Sequence, residues 1–245
     1  MYKRQVLELG RDAERLSGGA FSIYLPDPDG HRRLDPSGVV KGWAAQRASQ
    51  FLAQLDDTDF CLSAGGDIVC RVADPDSPAW RIGIEHPHNP QSLIAVVPVR
   101  SGAVATSGTA HRDQHLVDAR TGQPVKGVAS VTVIGQSLTW ADIDATAAYA
   151  HGPQAAQWLE TRPGRTALVV WPNGDTTIID GRSGTEPIDG QSPDFATRVS
   201  SKRSDMGRLG ETQVEKSGRG QRRVFEPAHR PLIPRFGPLR HWGSR

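Results

Sequence analysis

Residues 130–152, SVTVIGQSLTWADIDATAAYAHG, place a strand pattern directly before a helix pattern. The first part, through Gln136, is rich in β-branched residues, which are favoured in strands. The second part, from Thr139, is rich in alanine, and Gly152-Pro153 is a typical stop signal for a helix. The stretch therefore predicts one strand followed by one helix.

Strand patterns also occur on both sides of this stretch. The sequence DFCLSAGGDIVCRV, residues 59–72, alternates around Gly-Gly-Asp, and TALVVWPNGDTTIID, residues 166–180, is interrupted by Pro-Asn-Gly-Asp. Both patterns predict hairpins. The segments WRIGIEHP, SLIAVVPV and VATS predict further short strands. Mostly antiparallel strands with two or three separate helices indicate an α+β fold.

Helix patterns are found in three further segments. The first runs from Val6 to Leu16, and the last runs from Pro153, which suits a first helical turn, to about Glu160. Between them, an amphipathic helix is predicted from Val39 onward, because apolar residues recur at intervals of three and four. These apolar residues are Val40, Ala44, Ala48, Phe51, Leu52 and Leu55.

The charge of the chain is unevenly distributed. Its formal net charge is +2, but residues 181–245 contain 13 Lys+Arg and 7 Asp+Glu, so this tail carries +6 and residues 1–180 carry −4. The tail also contains 9 Gly, 6 Pro and no sustained periodicity, so we expect it to be disordered. A basic tail can contact nucleic acid or anionic lipid. A solvated appendage is the simpler interpretation, and we expect no nucleic-acid partner.

Membrane and export signals are not apparent in the sequence. No run approaches the roughly 18–20 apolar residues of a membrane helix. The start, MYKRQVLELGRDAERL, has no apolar segment typical of a signal peptide. These observations leave the cellular location open.

The two cysteines flank the Gly65-Gly66 turn on strands that are predicted to pair. A disulfide between Cys61 and Cys70 is geometrically conceivable. Because no other cysteine indicates a disulfide framework or a zinc site, two buried free thiols are favoured.

The predicted helix from Thr139 carries a candidate metal site. Asp142 and Thr146 are four residues apart, so a helix places their carboxylate and hydroxyl on one face. Such hard oxygens suit Mg²⁺ or Ca²⁺. In the alternative interpretation, Thr139 and Asp142 form a capping box, which would give the same carboxylate a structural role.

Two Gly-Gly turns and one helix start could bind phosphate. SGGAF, residues 17–21, and SAGGD, residues 63–67, can each expose backbone N–H groups, although neither fits a Walker or Rossmann pattern. Ser37 lies near the start of the second predicted helix, where anions are favoured. Lys41 opposes the helix dipole there, which either reflects a function or marks an ordinary surface lysine.

The segment HRDQHLVDARTG, residues 111–122, contains candidate acid–base groups. His115 could act as a general base or bind phosphate, with Asp118 or Arg120 holding its ring. His111 is interpreted as a loop residue. A hydrolase triad of Ser107, His115 and Asp118 is an alternative, but the chain lacks the G-x-S-x-G elbow.

Taken together and in order, these motifs resemble one known family. The strings SGGAF, LDPSGVVKGWAAQRASQFL, SAGGDI, WRIGIEHP, VATSG, HLVDARTGQPV and SVTVIGQSLTWADIDATAAYAHG are similar to those of the FAD:protein FMN transferases, the ApbE family. The most specific are H-x-x-D-x-x-T-G-x-P and A-D-x-x-x-T. The resemblance spans about residues 10–180 and implies a single flavin-transferase domain over residues 1–180, while the tail 181–245 stays unexplained.

The resemblance implies an activity and a set of site residues. It implies a Mg²⁺-dependent enzyme (with Ca²⁺ as an alternative) that cleaves FAD, joins FMN to a Ser or Thr hydroxyl of a target protein and releases AMP. The implied metal ligands are Asp142, Thr146 and the backbone carbonyls of Val40 and Ala145, and the implied activator of the hydroxyl is His115. The implied contacts to the flavin nucleotide are Ala20, Phe21, Ser22, Ser37, Trp43 and Val117, with Lys41 near the phosphates.

The chain also departs from the family pattern. Family members usually have several dozen residues before SGGAF, so we expect either an N-terminally truncated copy or an incomplete sequence. Membrane association is expected only through the target protein or a missing anchor. Ser22 stands where the family usually has Asp, and Ala119 where it usually has Pro. The alternatives to transfer are an FAD-binding protein, an enzyme that hydrolyses FAD to FMN and AMP, and an inactive fragment.

Overall fold

The architecture is seen in a computed structural model that describes residues 2–27, 29–108 and 116–181 and the backbone of residues 214–215. The helices are α1 (Tyr2–Leu16), α2 (Ser37–Leu52), α3 (Leu138–Ala150) and α4 (Ala155–Glu160), which follows a 3-10 turn (Gly152–Gln154). The strands are β1 (Tyr24–Pro26), β2 (Arg32–Leu34), β3 (Phe60–Ala64), β4 (Asp67–Arg71), β5 (Trp80–His86), β6 (Asn89–Val99), β7 (Ser101–Gly108), β8 (Val117–Asp118), β9 (Gln123–Pro124), β10 (Ser130–Gly135), β11 (Thr166–Val170), β12 (Thr176–Ile179) and β13 (Val214–Glu215). The expected disorder of the tail lies outside the described residues.

A six-stranded antiparallel sheet forms the centre of the fold. Its strand order is β12-β11-β10-β7-β4-β3. The β5–β6 hairpin forms a second sheet, in which β13 pairs with the outer edge of β5. The predicted α+β class is therefore confirmed.

Helix α3 lies on one face of the central sheet, and the β5–β6 hairpin packs against the other face. Eleven of the 13 residues of α3 are buried, which explains why it lacks a polar face. Its small side chains, such as Ala141, Ala145 and Ala148, pack with Val131 and Val133 of β10. The opposite face of the sheet is filled by larger side chains, namely Ile68, Val104 and Leu168 with Ile82, Ile84 and Val97 of the hairpin.

The prediction for the buried face of α2 was wrong. The buried residues of α2 are Val39, Gly42, Ala45 and Ser49. The predicted apolar face is instead largely exposed, with Val40 at 39%, Phe51 at 70% and Leu55 at 50% exposure. The physical reason is that α2 packs closely on α3, so small residues take the contact face and the larger apolar residues face outward.

The two predicted hairpins are confirmed. β3 and β4 are joined by Gly65 and Gly66, whose φ angles of 59° and 90° fit a two-residue type I′ turn. β11 and β12 pair around Asn173-Gly174. Cys61 and Cys70 stand directly opposite each other on β3 and β4. Both thiols are free, as predicted, but only Cys70 is buried, whereas Cys61 is partly exposed.

Three helix boundaries differ slightly from the prediction. α1 begins at Tyr2 rather than Val6, α2 begins at Ser37 rather than Val39, and the segment from Pro153 is a 3-10 turn before α4 begins at Ala155. Among the described residues, no helix is both long and apolar enough to span a membrane.

Candidate active site

The second turn of α2 meets α3 at Gly42 and Asp142. The Gly42 backbone N–H donates to Asp142 Oδ2 over 3.2 Å. A Cβ atom at position 42 would lie 2.9 Å from Asp142 Cβ and 3.1 Å from the Leu138 carbonyl oxygen. Only glycine therefore fits this helix contact without a shift, and its absence of a side chain gives the Asp142 carboxylate a backbone donor.

The capping-box interpretation of Asp142 is wrong. The N-cap of α3 is Ser137, whose side chain accepts a hydrogen bond from the Trp140 N–H. Thr139 and Asp142 both lie inside the helix, so their side chains do not cap it. The Asp142 carboxylate faces α2 and is free of a capping role.

A lysine joins Asp142 to a second buried carboxylate. Lys41 Nζ lies 2.5 Å from Asp67 Oδ2 and 3.6 Å from Asp142 Oδ1. The lysine side chain is 36% exposed, whereas the Asp67 and Asp142 side chains are 2% and 6% exposed. Asp67 is the first residue of β4, directly after the Gly65-Gly66 turn. We call Lys41, Asp67 and Asp142 the ion cluster.

Burial and mutual repulsion change the acidity of the two carboxyl groups. Burial, and secondly the charge of Asp67, raise the pKa of Asp142 to about 7, although Lys41 and the Gly42 N–H lower it. Burial likewise raises the pKa of Asp67, against the lowering effect of Lys41. One lysine thus compensates two buried acids, and an additional cation would favour the ionised form of both.

The hydroxyl of Thr146 lies one helical turn beyond Asp142 and is held by β7. Thr146 Oγ1 and Ser107 Oγ are 3.0 Å apart, and either atom can be the donor. Ser107 is buried, with 7% exposure, while Thr146 is only partly buried. The predicted carboxylate–hydroxyl pair of α3 is therefore present, and Ser107 is an additional member.

These groups fit a hard divalent cation. Carboxylate, hydroxyl and carbonyl oxygens suit Mg²⁺ or Ca²⁺, and Mg²⁺ is commonly completed by substrate phosphates and water. The Val40 carbonyl belongs to the first turn of α2 and the Ala145 carbonyl to the middle of α3, so their assignment as ligands stays a prediction. No three His, Cys, Asp or Glu side chains are grouped as metal ligands in the described part of the chain. A cation here would thus depend on oxygens other than carboxylates as well.

Three of the predicted nucleotide-binding segments come together beside this junction. The Ala119 N–H donates to the Ala20 carbonyl over 3.1 Å, which joins the SGGAF turn to the VDAR segment. The Phe21 ring lies against Gly38, where an added Cβ would be 3.0 Å from Phe21 Cε2. The side chains of Ala20 and Phe21 are buried, at 0% and 5% exposure. Their contribution to a ligand site is therefore limited mainly to backbone groups.

Val117 and Ser37 lie on these same segments. Val117 is partly buried in β8, and Ser37 is the exposed first residue of α2. The Ser37 backbone N–H donates to Asp35 Oδ1 over 3.0 Å. The contacts of Val117 and Ser37 to a nucleotide therefore stay predictions.

Ser22 and Trp43 have other neighbours. The Ser22 hydroxyl donates to Glu14 Oε2 and accepts from Arg32 Nη2, both over 3.0 Å, so it joins α1 to β2. Trp43 is two residues after Lys41, about 200° around the helix, and therefore points away from the ion cluster. Its ring packs edge-on against Tyr2, with centroids 5.6 Å apart.

The predicted acid–base segment is only partly described. His115 and His111 lie outside the described residues, so the roles predicted for them stay predictions. Asp118 is paired with Arg120, the closest contact being 2.8 Å, and although burial alone would raise the pKa of Asp118, the hydrogen bonds from Arg120 lower it. Because Ser107 bonds to Thr146 and Asp118 to Arg120, the hydrolase triad is not supported by the partners of these two residues.

A comparison with protein families agrees with this arrangement. A model described as the ApbE family matches residues 14–170, more than half of the 245-residue chain. The chain belongs to the ApbE family. All members of the ion cluster, together with Ser107 and Thr146, lie inside the matched part of this ApbE chain.

Curated relatives of this ApbE chain are named FAD:protein FMN transferase. The protein from Salmonella typhimurium is 26% identical over 183 residues, which is 67% of this chain and 52% of the relative. The protein from Vibrio cholerae is 30% identical over 149 residues, which is 57% of this chain and 43% of the relative. The chain thus spans about half the length of the curated relatives it matches.

Solved structures share the fold. The ApbE protein of Thermotoga maritima superposes with a TM-score of 0.54 at 27% identity, covering 70% of this chain and 62% of that protein. The apo form of the flavinyl transferase ApbE from Pseudomonas stutzeri gives a TM-score of 0.62 at 22% identity, covering 74% and 73%. The second likeness concerns the fold alone.

Sequence reasoning missed the roles of Gly42 and Asp67, and it predicted Ser107 in the hydrolase triad rather than beside Thr146. Gly42 occurs in a quoted motif, but no role followed from its spacing. Asp67 was included only as the end of a Gly-Gly turn, although an acidic residue at the start of a β-branched strand was a usable signal. The signal was weak because Asp is also common after turns.

Proposed function

We propose that this chain transfers FMN from FAD to a Ser or Thr hydroxyl of a target protein and releases AMP. The observation that carries the proposal is the junction of α2, β4, β7 and α3. It places the buried Asp142 carboxylate, the Thr146 hydroxyl and the Lys41 ammonium on elements that belong to an ApbE family match. The names of the curated relatives support the same activity.

The reaction divides into steps that the residues of this chain would serve. The acceptor hydroxyl oxygen forms a new bond to the flavin-side phosphorus, and the P–O bond to the AMP half breaks, so AMP leaves with the bridging oxygen. The hydroxyl proton passes to a base, for which His115 is the proposed residue. Lys41, in the second turn of α2, would neutralise charge on the diphosphate oxygens.

A divalent cation, Mg²⁺ or Ca²⁺, would supply further charge neutralisation of the diphosphate. Asp142 and Thr146 would hold it through side-chain oxygens, with the carbonyls of Val40 and Ala145 as the remaining proposed ligands. The flavin nucleotide would lie along the backbone of Ala20 to Ser22 and the segment from Val117. Ser37 and Trp43 are retained as proposed nucleotide contacts on the strength of the family resemblance alone.

The decisive experiment follows AMP release and covalent flavin fluorescence. The chain is incubated with FAD and Mg²⁺, with and without the acceptor protein of the Vibrio cholerae relative. Transfer requires AMP and a fluorescent acceptor together, whereas AMP without acceptor labelling indicates hydrolysis, and FAD binding without AMP indicates a binding protein.

Asp142→Ala tests the cation role within the same experiment. We expect this variant to lose at least about 100-fold in labelling rate, because a carboxylate that neutralises transition-state charge is removed. Asp175→Ala, in the exposed β11–β12 turn, is the control and should label at the wild-type rate. Labelling that survives both Asp142→Ala and a chelator would contradict the proposal.

A further inference from the structure

Asp67 is a buried acid at a position where an apolar residue would be expected. It begins β4, whose next three residues, Ile68, Val69 and Cys70, are buried and apolar. Its own exposure is 1%. Placing a carboxylate there costs free energy unless it is paired, so a specific partner must compensate for its burial.

The partner of Asp67 is Lys41, which also faces Asp142. The Nζ–Oδ2 distance to Asp67 is 2.5 Å, and the Nζ–Oδ1 distance to Asp142 is 3.6 Å. The lysine therefore forms a close ion pair with Asp67 and a longer one with Asp142. Two fixed features hold Asp67 in place, namely the type I′ turn before it and the backbone N–H of Thr106, which donates to its carboxylate.

The charges of the ion cluster explain why the unequal distances from Lys41 to the two carboxylates matter. With both acids ionised, the ion cluster has a net charge of −1, and Asp142 retains an oxygen that Lys41 does not closely contact. Without the Asp67 carboxylate, Asp142 would be the remaining acid of the cluster. The ammonium would need to move only about 1 Å to form a close ion pair with it. A cation and the lysine would then compete for the same carboxylate.

We propose that Asp67 is a positioning residue that holds the Lys41 ammonium away from Asp142 and thereby keeps Asp142 available for a divalent cation. The inference rests on the proposed function, because it takes Asp142 as a cation ligand. In this proposal Asp67 acts through Lys41, and its own side chain also shares a hydrogen bond with Asp142.

A double-mutant cycle tests the positioning role of Asp67. The probe is Mn²⁺, and its binding to the full chain is measured by electron paramagnetic resonance in the absence of FAD. The variants are Asp67→Asn, Lys41→Met and the double variant. We expect Asp67→Asn to weaken Mn²⁺ binding about tenfold when Lys41 is present and less than about threefold when Met replaces it. The loss of one negative charge weakens Mn²⁺ binding whether residue 41 is Lys or Met. The additional loss seen only with Lys41 therefore measures the effect of a lysine that is no longer held by Asp67.

Other results would overturn the inference. An equal loss in both backgrounds would make Asp67 a direct ligand or a general charge, and no loss in either would make it purely structural. Asp67→Glu, which keeps the carboxylate, should retain more affinity than Asp67→Asn. Thermal unfolding and circular dichroism of each variant identify a loss that arises from unfolding, and the double variant keeps the test valid if Asp67→Asn alone folds poorly.

The cycle also separates this inference from the proposed function. If Asp142→Ala leaves Mn²⁺ binding unchanged, the cation site itself is refuted. If Asp142→Ala abolishes binding while the cycle shows no coupling between positions 41 and 67, only the positioning role fails. Asp175→Asn serves as the matched control for removal of a carboxylate elsewhere and should leave Mn²⁺ binding unchanged.

Discussion

At the residue scale, Ser107 determines how the Thr146 hydroxyl is presented. The two oxygens are 3.0 Å apart and join β7 to α3. A threonine oxygen that gives a lone pair to a cation must direct its proton elsewhere, and Ser107 Oγ is the acceptor in reach. In the proposed cation site, Ser107 would therefore orient the Thr146 hydroxyl oxygen toward the cation.

Ser107→Ala should weaken Mn²⁺ binding about tenfold, because Thr146 loses the acceptor that fixes its hydroxyl. We also expect the free energy of unfolding to fall by about 1 kcal/mol, the usual contribution of one hydrogen bond. Electron paramagnetic resonance measures the first quantity and urea denaturation the second.

Ser130 offers a closely matched control, since it stands opposite Gly108 on the paired strand β10. It is equally buried, at 4% exposure, but its hydroxyl has no hydrogen-bond partner among the described residues. Ser130→Ala should leave both quantities unchanged or slightly increase stability. If the two alanine variants behave alike, the role assigned to Ser107 is incorrect.

The residues that sequence reasoning identified are those whose partners are close in the chain. Asp142 and Thr146 are four residues apart on one helix, so periodicity alone placed them together. Asp67 and Ser107 meet the site only through the pairing of β4 with β7, in which Ile68 stands opposite Val104. Register of this kind depends on the whole sheet, so the local sequence around Asp67 and Ser107 does not reveal their partners in the site.

At the scale of elements, α3 is held in place by a buried carboxylate near its centre. Asp144 is 1% exposed and accepts from Arg162 Nε over 3.1 Å and from Arg165 Nε over 2.7 Å. Both arginines follow α4, so the cluster connects α3 to the start of β11. Arg162 also lies 5.7 Å from the Trp140 ring and 5.6 Å from the Trp158 ring.

Asp144→Ala should destabilise the protein by about 3–5 kcal/mol, because two largely buried guanidinium groups lose their common counter-ion. Urea denaturation measures the change. Glu8→Ala, which removes an exposed ion pair with Arg4, is the comparison and should cost less than about 1 kcal/mol. A small effect of Asp144→Ala would mean that packing alone positions α3.

The helix α2 shows why a correct element can have an incorrectly predicted face. Its apolar periodicity pointed to Val40, Phe51 and Leu55, yet the buried contact is made through Gly42 and Ala45. A prediction based on hydrophobicity expects the large apolar side chains to be buried. The close approach to Asp142 instead selects the smallest ones, and only the position of the neighbouring helix reveals this.

At the scale of the whole molecule, the candidate site connects segments that are far apart in the chain. The segments around residues 20, 41, 67, 107, 119 and 142 come from four elements and two loops of the fold, and the contacts at Gly42, Lys41 and Ser107 join the four elements. The sequence predicted the α+β class because each strand and helix has a local pattern. The order β12-β11-β10-β7-β4-β3, which brings these segments together, has no local signature.

A ligand bound at this junction should therefore stabilise the entire fold. Saturating FAD with Mg²⁺, at about 100 times the dissociation constant, should raise the free energy of unfolding by about 2.7 kcal/mol through mass action. FAD with a chelator should give a smaller increase, and Asp142→Ala should remove the difference between the two conditions. Thermal denaturation followed by circular dichroism measures all three. If FAD leaves the unfolding midpoint unchanged with and without Mg²⁺, the described segments do not form a nucleotide site, since binding to the native state alone must stabilise it.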